Sequence, residues 1–234
     1  MTEAQVGLPG NEEEMAAFFD VRVDGYEQHM GEHIEDFDAF YDSAIVAIPR
    51  TTQVRVLDLG IGTGLELDRL FARLPDAQVT GIDMSRGMLD ALAAKKRPWS
   101  GQVRTIHGSF LDVDLGNEAY DVVLSVMALH HWIPSVKLDL YRRICRALAP
   151  GGVFINADYV ATEEESARRR TAYEALGHGD RHTLHIDLPQ PIEMERQLLT
   201  EAGFASTCVP FERTHCATIV GAISNDADRH PTST

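Results

Sequence analysis

The sequence predicts an α/β protein with a doubly wound, mostly parallel seven-stranded sheet that ends in an antiparallel hairpin. From residue 54 onward, apolar runs of strand length alternate with amphipathic helical segments, a pattern typical of βαβ units. A glycine-rich turn joins the first apolar run to the first of these helices. The last two runs, 204–210 and 214–222, are joined by a short turn around Glu212 and Arg213, and such a short connection implies an antiparallel pair.

The elements before the hairpin follow from their periodicity. Strands are predicted at 54–59, 78–82, 103–107, 120–126 and 152–158. Helices are predicted at 65–74, from Ser85 onward, at 135–148 and at 191–203. The side chain of Ser85 can cap its helix, and Gly203 is suited to end the last one.

The chain divides into distinct regions. Residues 1–10 and 223–234 are polar and poorly patterned, so both ends are predicted to be disordered. Residues 11–49 have a helical pattern rich in aromatic side chains, and we expect them to form a lid. Residues 50–222 form the main domain, in which 162–190 is predicted to be an insert made of a helix and a histidine-rich loop.

Composition and charge argue against several classes of function. The 234 residues carry a formal net charge of -15, which argues against a general affinity for nucleic acid. No apolar stretch is long enough to span a membrane, and the first residues lack the features of a secretory signal. Cys145, Cys208 and Cys216 are scattered, as expected of a protein in the reducing cytoplasm. The sequence leaves open whether the chain forms a homodimer.

The strongest motif is the run VLDLGIGTG. Gly60, Gly62 and Gly64 follow a predicted strand, and glycines allow a sharp turn and the close approach of a ligand at the strand's carboxyl end. A dinucleotide fingerprint would have its third glycine one place later, at Leu65. The spacing, with Asp58 shortly before the first glycine, fits S-adenosylmethionine (SAM) better than NAD.

A second motif, VTGIDMS, places Asp83 at the end of the second strand. This acid follows the glycines by about twenty residues, where a carboxylate can accept hydrogen bonds from both hydroxyls of a ribose. Met84 and Met88 are candidates to flank the adenine ring, although methionines are more often core residues.

These motifs, followed by YDVVLSVMALHHW and LAPGG, have the order and spacing of class I SAM-dependent methyltransferases, and residues 12–222 resemble that family. The segments FDVRVDGYEQH and LLTEAGF also resemble a smaller group near the tRNA uridine carboxymethyltransferases and many bacterial proteins. The resemblance implies a Rossmann-like methyltransferase fold, SAM as cofactor and transfer of its methyl group to an acceptor.

The resemblance also implies roles for individual residues. Asp58, Gly60 and Gly62 would contact the amino-acid end of SAM, while Asp83 would bind the ribose. Ser125, at the end of the fourth strand, would lie beneath the sulfonium and the methyl group.

The adenine end departs from the family pattern. Many relatives have Gly-Asp where this chain has Gly108 followed by Ser109, so the usual acceptor for the adenine amine is missing. Ser109 or Asp112 would substitute, with Phe110 beside the ring. Tyr26 would reach the cofactor from the N-terminal helices, which often fold over it in such proteins.

His130 and His131 follow the fourth strand and are the candidate catalytic residues. A neutral imidazole is a competent base near pH 7. Adjacent residues seldom point the same way, so at most one is expected to face the acceptor, and support of the loop is an equal alternative. No metal site is predicted here, because no carboxylate lies at a telling spacing.

The insert is expected to shape the acceptor pocket, because loops on a rigid scaffold usually carry recognition. The residues predicted to contribute are Asp158, Tyr159, Tyr173 and the histidines of GHGDRHTLH, which are His178, His182 and His185. The alternative is that the insert only caps the core, and metal binding by its histidines is less favoured.

The predicted function is methyl transfer from SAM to a small-molecule acceptor, with release of S-adenosylhomocysteine (SAH). Three alternatives stay open: modification of tRNA with SAM or carboxy-SAM, a SAM-using reaction without methyl transfer, and SAM binding without catalysis. The charge of -15 counts against the tRNA alternative.

Overall fold

The computed structural model describes residues 14–175 and 184–225. The strands within them are β1 (Arg55–Leu59), β2 (Gln78–Asp83), β3 (Val103–His107), β4 (Tyr120–Val126), β5 (Leu148–Tyr159), β6 (Ser206–Glu212) and β7 (Cys216–Ala222). They form one seven-stranded sheet in the order β3-β2-β1-β4-β5-β7-β6. The first five strands pair in parallel, whereas β7 is antiparallel to β5 and to β6. The predicted doubly wound sheet with a C-terminal hairpin is therefore confirmed.

Helices cover both faces of the sheet. They are α1 (Met15–Asp20), α2 (Tyr26–His33), α3 (Phe37–Val46), α4 (Leu67–Arg73), α5 (Arg86–Ala94), α6 (Pro134–Ala147), α7 (Glu163–Ala175) and α8 (Ile192–Ala202). Along β1, Val56 joins a core shared with α3 and α4, while Leu57 and Leu59 join a second core shared with α6 and α8. This alternation follows from the two-residue period of a strand. It turns Asp58 toward the side of α4.

Local capping chemistry sets two helix ends as the sequence predicts. The Ser85 hydroxyl accepts a hydrogen bond from the Met88 amide at 3.1 Å, at the start of α5. Gly203 ends α8 in the left-handed region, with φ of 107°. The predicted disordered ends, apart from 223–225, and the histidines His178 and His182 lie outside the described residues.

Strand β5 begins earlier than its predicted start at residue 152. Leu148 already pairs with Tyr120 of β4, and the register shifts before Val122 pairs with Val153. The Pro-Gly-Gly sequence, which otherwise indicates a turn, lies within this irregular part of the strand. The strand can continue through it because Gly151 adopts φ of 74°. The strand therefore extends directly from the end of α6.

Helices α6 and α8 are joined by a buried ion pair. The Lys137 ammonium donates to one oxygen of Glu195, and the Tyr141 hydroxyl donates to the other at 2.5 Å. The side chains of Lys137 and Glu195 are only 1% and 4% exposed. Each charge therefore depends on the other for its compensation. None of the helices described here has the length and apolar composition needed to cross a membrane.

Substituting Lys137→Met should lower the free energy of unfolding by about 3–5 kcal/mol, because Glu195 would be left buried without its cation. Arg142→Met on the same helix is the matched control. Its exposed guanidinium lies 3.2 Å from Asp139 and 3.4 Å from Glu201, and such surface pairs contribute about 0–1 kcal/mol. Urea denaturation measures both. Equal losses in the two variants would contradict the importance of the buried pair.

Candidate active site

A cavity opens beyond the carboxyl ends of β1, β2 and β4, where open parallel sheets bind ligands. Backbone from the glycine turn, side chains from α1, α2 and α5, and the segments after β3 and β4 form its wall. The wall residues are Met15, Phe19, Tyr26, Gly60, Gly62, Asp83, Met84, Met88, Gly108, Phe110, Met127, Ala128 and His131.

The glycine turn exposes its backbone to this cavity. A Cβ on Gly60 would lie 2.5 Å from the Cβ of Ala128, so no side chain fits there. A Cβ on Gly62 would lie 3.9 Å from its nearest neighbour, the Gly60 carbonyl oxygen, and the space beyond is open to a ligand. Gly64 does not reach the wall. A Cβ there would lie 2.7 Å from Leu67 and 2.9 Å from Leu92, so this glycine lets α4 and α5 approach.

Asp83 lies on the wall at the predicted position, where β2 ends. One carboxylate oxygen accepts the Gly62 amide and the other accepts the Ser85 amide, both at 2.8 Å. Burial raises the pKa of Asp83, and the two backbone donors oppose that shift. The carboxylate thus fixes the glycine turn while it faces the ligand space.

An apolar part of the wall lies beside Asp83. It is formed by Met84, Met88 and Phe110 together with the backbone of Gly108. Phe110 makes an edge contact with Trp132, with ring centroids 6.2 Å apart. An adenine ring needs a flat apolar slot of this kind, and the roles of Met84, Met88 and Phe110 beside the ring stay predictions.

Two predicted adenine contacts are not on the wall. The Ser109 hydroxyl accepts the Leu111 amide at 3.1 Å and so closes a local turn. Asp112 is exposed. Sequence reasoning missed Arg143, whose guanidinium donates to the carbonyls of Phe110, at 3.0 Å, and Leu111, at 2.6 Å, and so holds this segment in place.

Ser125 is also off the wall. Its side chain is fully buried, and its hydroxyl donates to the Leu59 carbonyl at 3.1 Å, which ties β4 to β1. Met127 and Ala128 form the wall in this region instead. Met127 has φ of 56°, an uncommon conformation for a methionine that turns the chain away from β4.

Asp58 is buried beneath the glycine turn against a carboxyl group that the sequence analysis missed. Asp58 and Glu66 are 1% and 4% exposed, and their carboxyl groups influence each other's ionisation. Asp58, which was predicted to contact the amino-acid end of SAM, is not among the wall residues. Burial raises the pKa of both acids, and so does their mutual repulsion in the case of Asp58. An acid immediately after the turn, in the letters GTGLE, is the signal that could have identified Glu66.

The rings of the two adjacent histidines lie with their centroids 4.0 Å apart, but they have different surroundings. His131 lies on the wall, whereas His130 is not among the wall residues and its Nδ1 is 2.5 Å from the Asp158 carboxylate. Burial by itself lowers the pKa of His130, but the Asp158 carboxylate outweighs it and the net shift is upward. Burial and the neighbouring His130 lower the pKa of His131. His131 is therefore neutral near pH 7.

The Ile186 carbonyl, from the end of the insert, orients His131, because it lies 3.3 Å from Nδ1 and accepts a hydrogen bond from it. The Asp187 carboxylate lies 3.2 Å from the same nitrogen, but its Oδ1 has no hydrogen-bond partner among the described residues. A carbonyl can only accept, so Nδ1 carries the proton and Nε2 keeps its lone pair. His130, His131 and Asp187 also offer three potential metal ligands within 4.8 Å of one another. Nδ1 of each histidine already has a hydrogen-bond acceptor, which is Asp158 for His130 and the Ile186 carbonyl for His131.

The N-terminal helices and the insert meet above the cavity. Met15 and Phe19 of α1 and Tyr26 of α2 lie on the wall. The rings of Phe18 and His185 stack at 3.5 Å. Asp158, Tyr159 and Tyr173, which were predicted to shape the pocket, are not on the wall.

Comparison with known proteins identifies the family. A family model described as a methyltransferase domain matches residues 56–152. Uncharacterised methyltransferases of Geobacillus thermodenitrificans and Geobacillus kaustophilus are 30% and 29% identical, covering 82% and 83% of this chain and 86% and 87% of theirs. Human N-acetylserotonin methyltransferase in complex with SAM has a similar fold, with a TM-score of 0.65 at 18% identity; the match covers 91% of this chain but 59% of that protein. The chain belongs to the class I SAM-dependent methyltransferases.

The protein is therefore an enzyme, and SAM is its cofactor. The residues of the cavity fit this cofactor. The wall offers open backbone at Gly62, the carboxylate of Asp83 and an apolar slot beside it, which are the kinds of group that the amino-acid, ribose and adenine parts of SAM require. When bound, SAM supplies an electrophilic methyl group. The specific contacts of Asp83 and Phe110 with the cofactor stay predictions.

Substituting Asp83→Ala should weaken SAH binding by about a hundredfold or more. Two charge-assisted hydrogen bonds to ribose would be lost, each contributing about 1.5–3 kcal/mol. Asp112→Ala is the control, because this acid is exposed and off the wall. Isothermal titration calorimetry measures both affinities. An unchanged dissociation constant in a folded Asp83→Ala protein would mean that the ribose binds elsewhere.

Proposed function

We propose that the enzyme methylates a small, uncharged acceptor whose nucleophilic atom loses a proton during transfer, with His131 as the base. The observation that carries this proposal is the imidazole of His131 on the wall of the SAM cavity, held at Nδ1 by the Ile186 carbonyl and 3.2 Å from the Asp187 carboxylate. Burial lowers the pKa of this imidazole, which favours its neutral form. A phenol or an acidic carbon acid needs such a base, whereas an amine does not.

The chemistry of the wall supports an uncharged acceptor. Beside His131 the described wall consists of Met15, Phe19, Met127 and Ala128. No lysine or arginine is among the wall residues in the described part of the chain, so an anionic acceptor would find no partner there. The formal net charge of -15 favours a small molecule over RNA as well.

The roles of the chain follow from this geometry. The glycine turn and Asp83 hold the cofactor, and alignment of the acceptor with the methyl group contributes about 7–11 kcal/mol. Nε2 of His131 accepts the acceptor's proton, and the Asp187 carboxylate stabilises the imidazolium that forms, as in other histidine–carboxylate pairs. The apolar side chains of α1 exclude water, which would compete for hydrogen bonds with both groups.

An acceptor screen tests the proposal. The purified enzyme is incubated with SAM and a panel of phenols, carbon acids, amines, carboxylates and bulk tRNA, and SAH release is measured. We expect turnover with phenols or carbon acids. Turnover restricted to amines, carboxylates or tRNA would refute the proposed acceptor class, and filter binding of tRNA gives an independent measure of that alternative.

Substituting His131→Gln should lower kcat by about 10²–10⁴ while the affinity for SAH is unchanged. Because only neutral His131 can accept a proton, kcat of the wild type should fall as the pH drops through the lowered pKa of His131. His29→Gln is the control, because His29 is an exposed histidine on α2. A wild-type rate in His131→Gln with the preferred acceptor would exclude the base role.

We also propose that α1 opens to admit ligands. The Asp20 carboxylate at its end accepts the Ser85 hydroxyl at 2.6 Å and the Gly87 amide at 2.9 Å, and so fastens α1 to the start of α5. The same hydrogen bonds lower the pKa of Asp20. This contact would hold Met15 and Phe19 over the cavity.

Hydrogen exchange tests this movement. We expect the amides of α1 to gain protection on SAH binding, and Asp20→Ala to release SAH faster than the wild type does. Asp24→Ala is the control, since Asp24 is exposed nearby. Equal protection of α1 with and without SAH would show that it does not act as a lid.

A further inference from the structure

The Asp58–Glu66 pair is not used by the mechanism above. Asp58 lies in β1, and Glu66 follows the glycine turn, so the pair sits beneath the backbone that faces the cofactor. Oδ2 of Asp58 and Oε1 of Glu66 are buried without a hydrogen-bond partner among the described residues. Buried carboxyl oxygens without donors are costly, so their retention calls for an explanation.

The burial of the two acids favours a proton on the pair. Both side chains are almost fully buried and each has an oxygen without a donor, so two negative charges there would be neither solvated nor compensated. The ligand-free protein must therefore hold one proton on the pair, whichever oxygen carries it. The raised pKa values of both acids agree with this.

The surroundings of the pair contain little positive charge. The ionisable groups that interact with it are Asp83 from β2, Tyr26 and Glu27 from α2, Tyr41 from α3 and Lys95 after α5. Lys95 is the one cation in this set, and its ammonium is 2.6 Å from Glu27. The pair is therefore compensated by its proton and not by a side chain of its own.

We propose that the Asp58–Glu66 pair stores a proton that the α-ammonium group of SAM or SAH displaces on binding. The amino-acid end of the cofactor is expected beside Asp58, and a positive charge there favours the doubly ionised pair. The carboxylic O–H bond breaks, the proton passes to solvent, and the pair keeps both negative charges opposite the ammonium. This inference rests on the cofactor and is independent of the acceptor class.

The affinity for SAH should depend on pH, because binding releases a proton from the pair. The ligand binds preferentially to the ionised pair, so affinity for SAH should rise with pH and level off above the upper ionisation of the pair. Below that ionisation, the dissociation constant should increase by about tenfold per pH unit, as one linked proton requires.

Calorimetry tests the inference directly. SAH is titrated into the whole protein near neutral pH in phosphate and in Tris, whose ionisation enthalpies differ, so that the difference in heat gives the protons released. We expect release by the wild type, and none by Glu66→Gln, which mimics the protonated acid. Glu32→Gln is the matched control, because Glu32 is an exposed acid on α2 and is not among the groups that interact with the pair. It should release as the wild type does.

A second ligand shows whether proton release needs the ammonium group or occurs whenever an adenosine ligand fills the cavity. Methylthioadenosine shares the adenosine part but has no amino-acid group, so it should bind with heats that do not depend on the buffer. Heats of SAH binding that are the same in both buffers for the wild type would overturn the inference without any variant. So would undiminished release by Glu66→Gln, or by Asp58→Asn if the first variant does not fold.

Discussion

The site depends on the two hydrogen bonds by which Asp83 binds backbone amides on either side of it. One bond holds Gly62 and therefore the conformation of the glycine turn, and the other holds Ser85 and therefore the start of α5. The Ser85 hydroxyl in turn caps α5 and donates to Asp20 of α1. One carboxylate thus couples the cofactor turn, a helix terminus and the N-terminal cover.

The charge pattern of the site follows from the cofactor that it holds. SAM carries two positive charges and one negative charge. The cavity region contains three acids, Asp58, Glu66 and Asp83, and all are at least partly buried. Such a concentration of acids would be unstable if all were ionised in the empty protein. Sharing a proton between two of them allows the acids to be buried before the cation arrives.

The parts of the site that could be predicted from sequence are those determined by local spacing. A strand, a glycine turn and an acid at the next strand end are contiguous patterns, and Gly60, Gly62 and Asp83 stand on the wall accordingly. Family likeness was less reliable for Ser125 and Ser109, because a strand directs alternate side chains to opposite faces and a short hydroxyl readily bonds the nearby backbone instead. The early start of β5, which pairs with β4 through a bulge, could not be predicted either, because its Pro-Gly-Gly sequence is typical of a turn.

The acceptor half could not be predicted in the same way, because its contacts join distant parts of the chain. His131 follows β4, but Ile186 and Asp187, which lie against its Nδ1, come from the end of the insert, and Phe19 comes from α1. The Leu188 amide donates to the His130 carbonyl at 2.6 Å, which fixes the end of the insert against the loop after β4. These contacts depend on how α1, the loop after β4 and the end of the insert pack together, and no local spacing in the sequence encodes that packing.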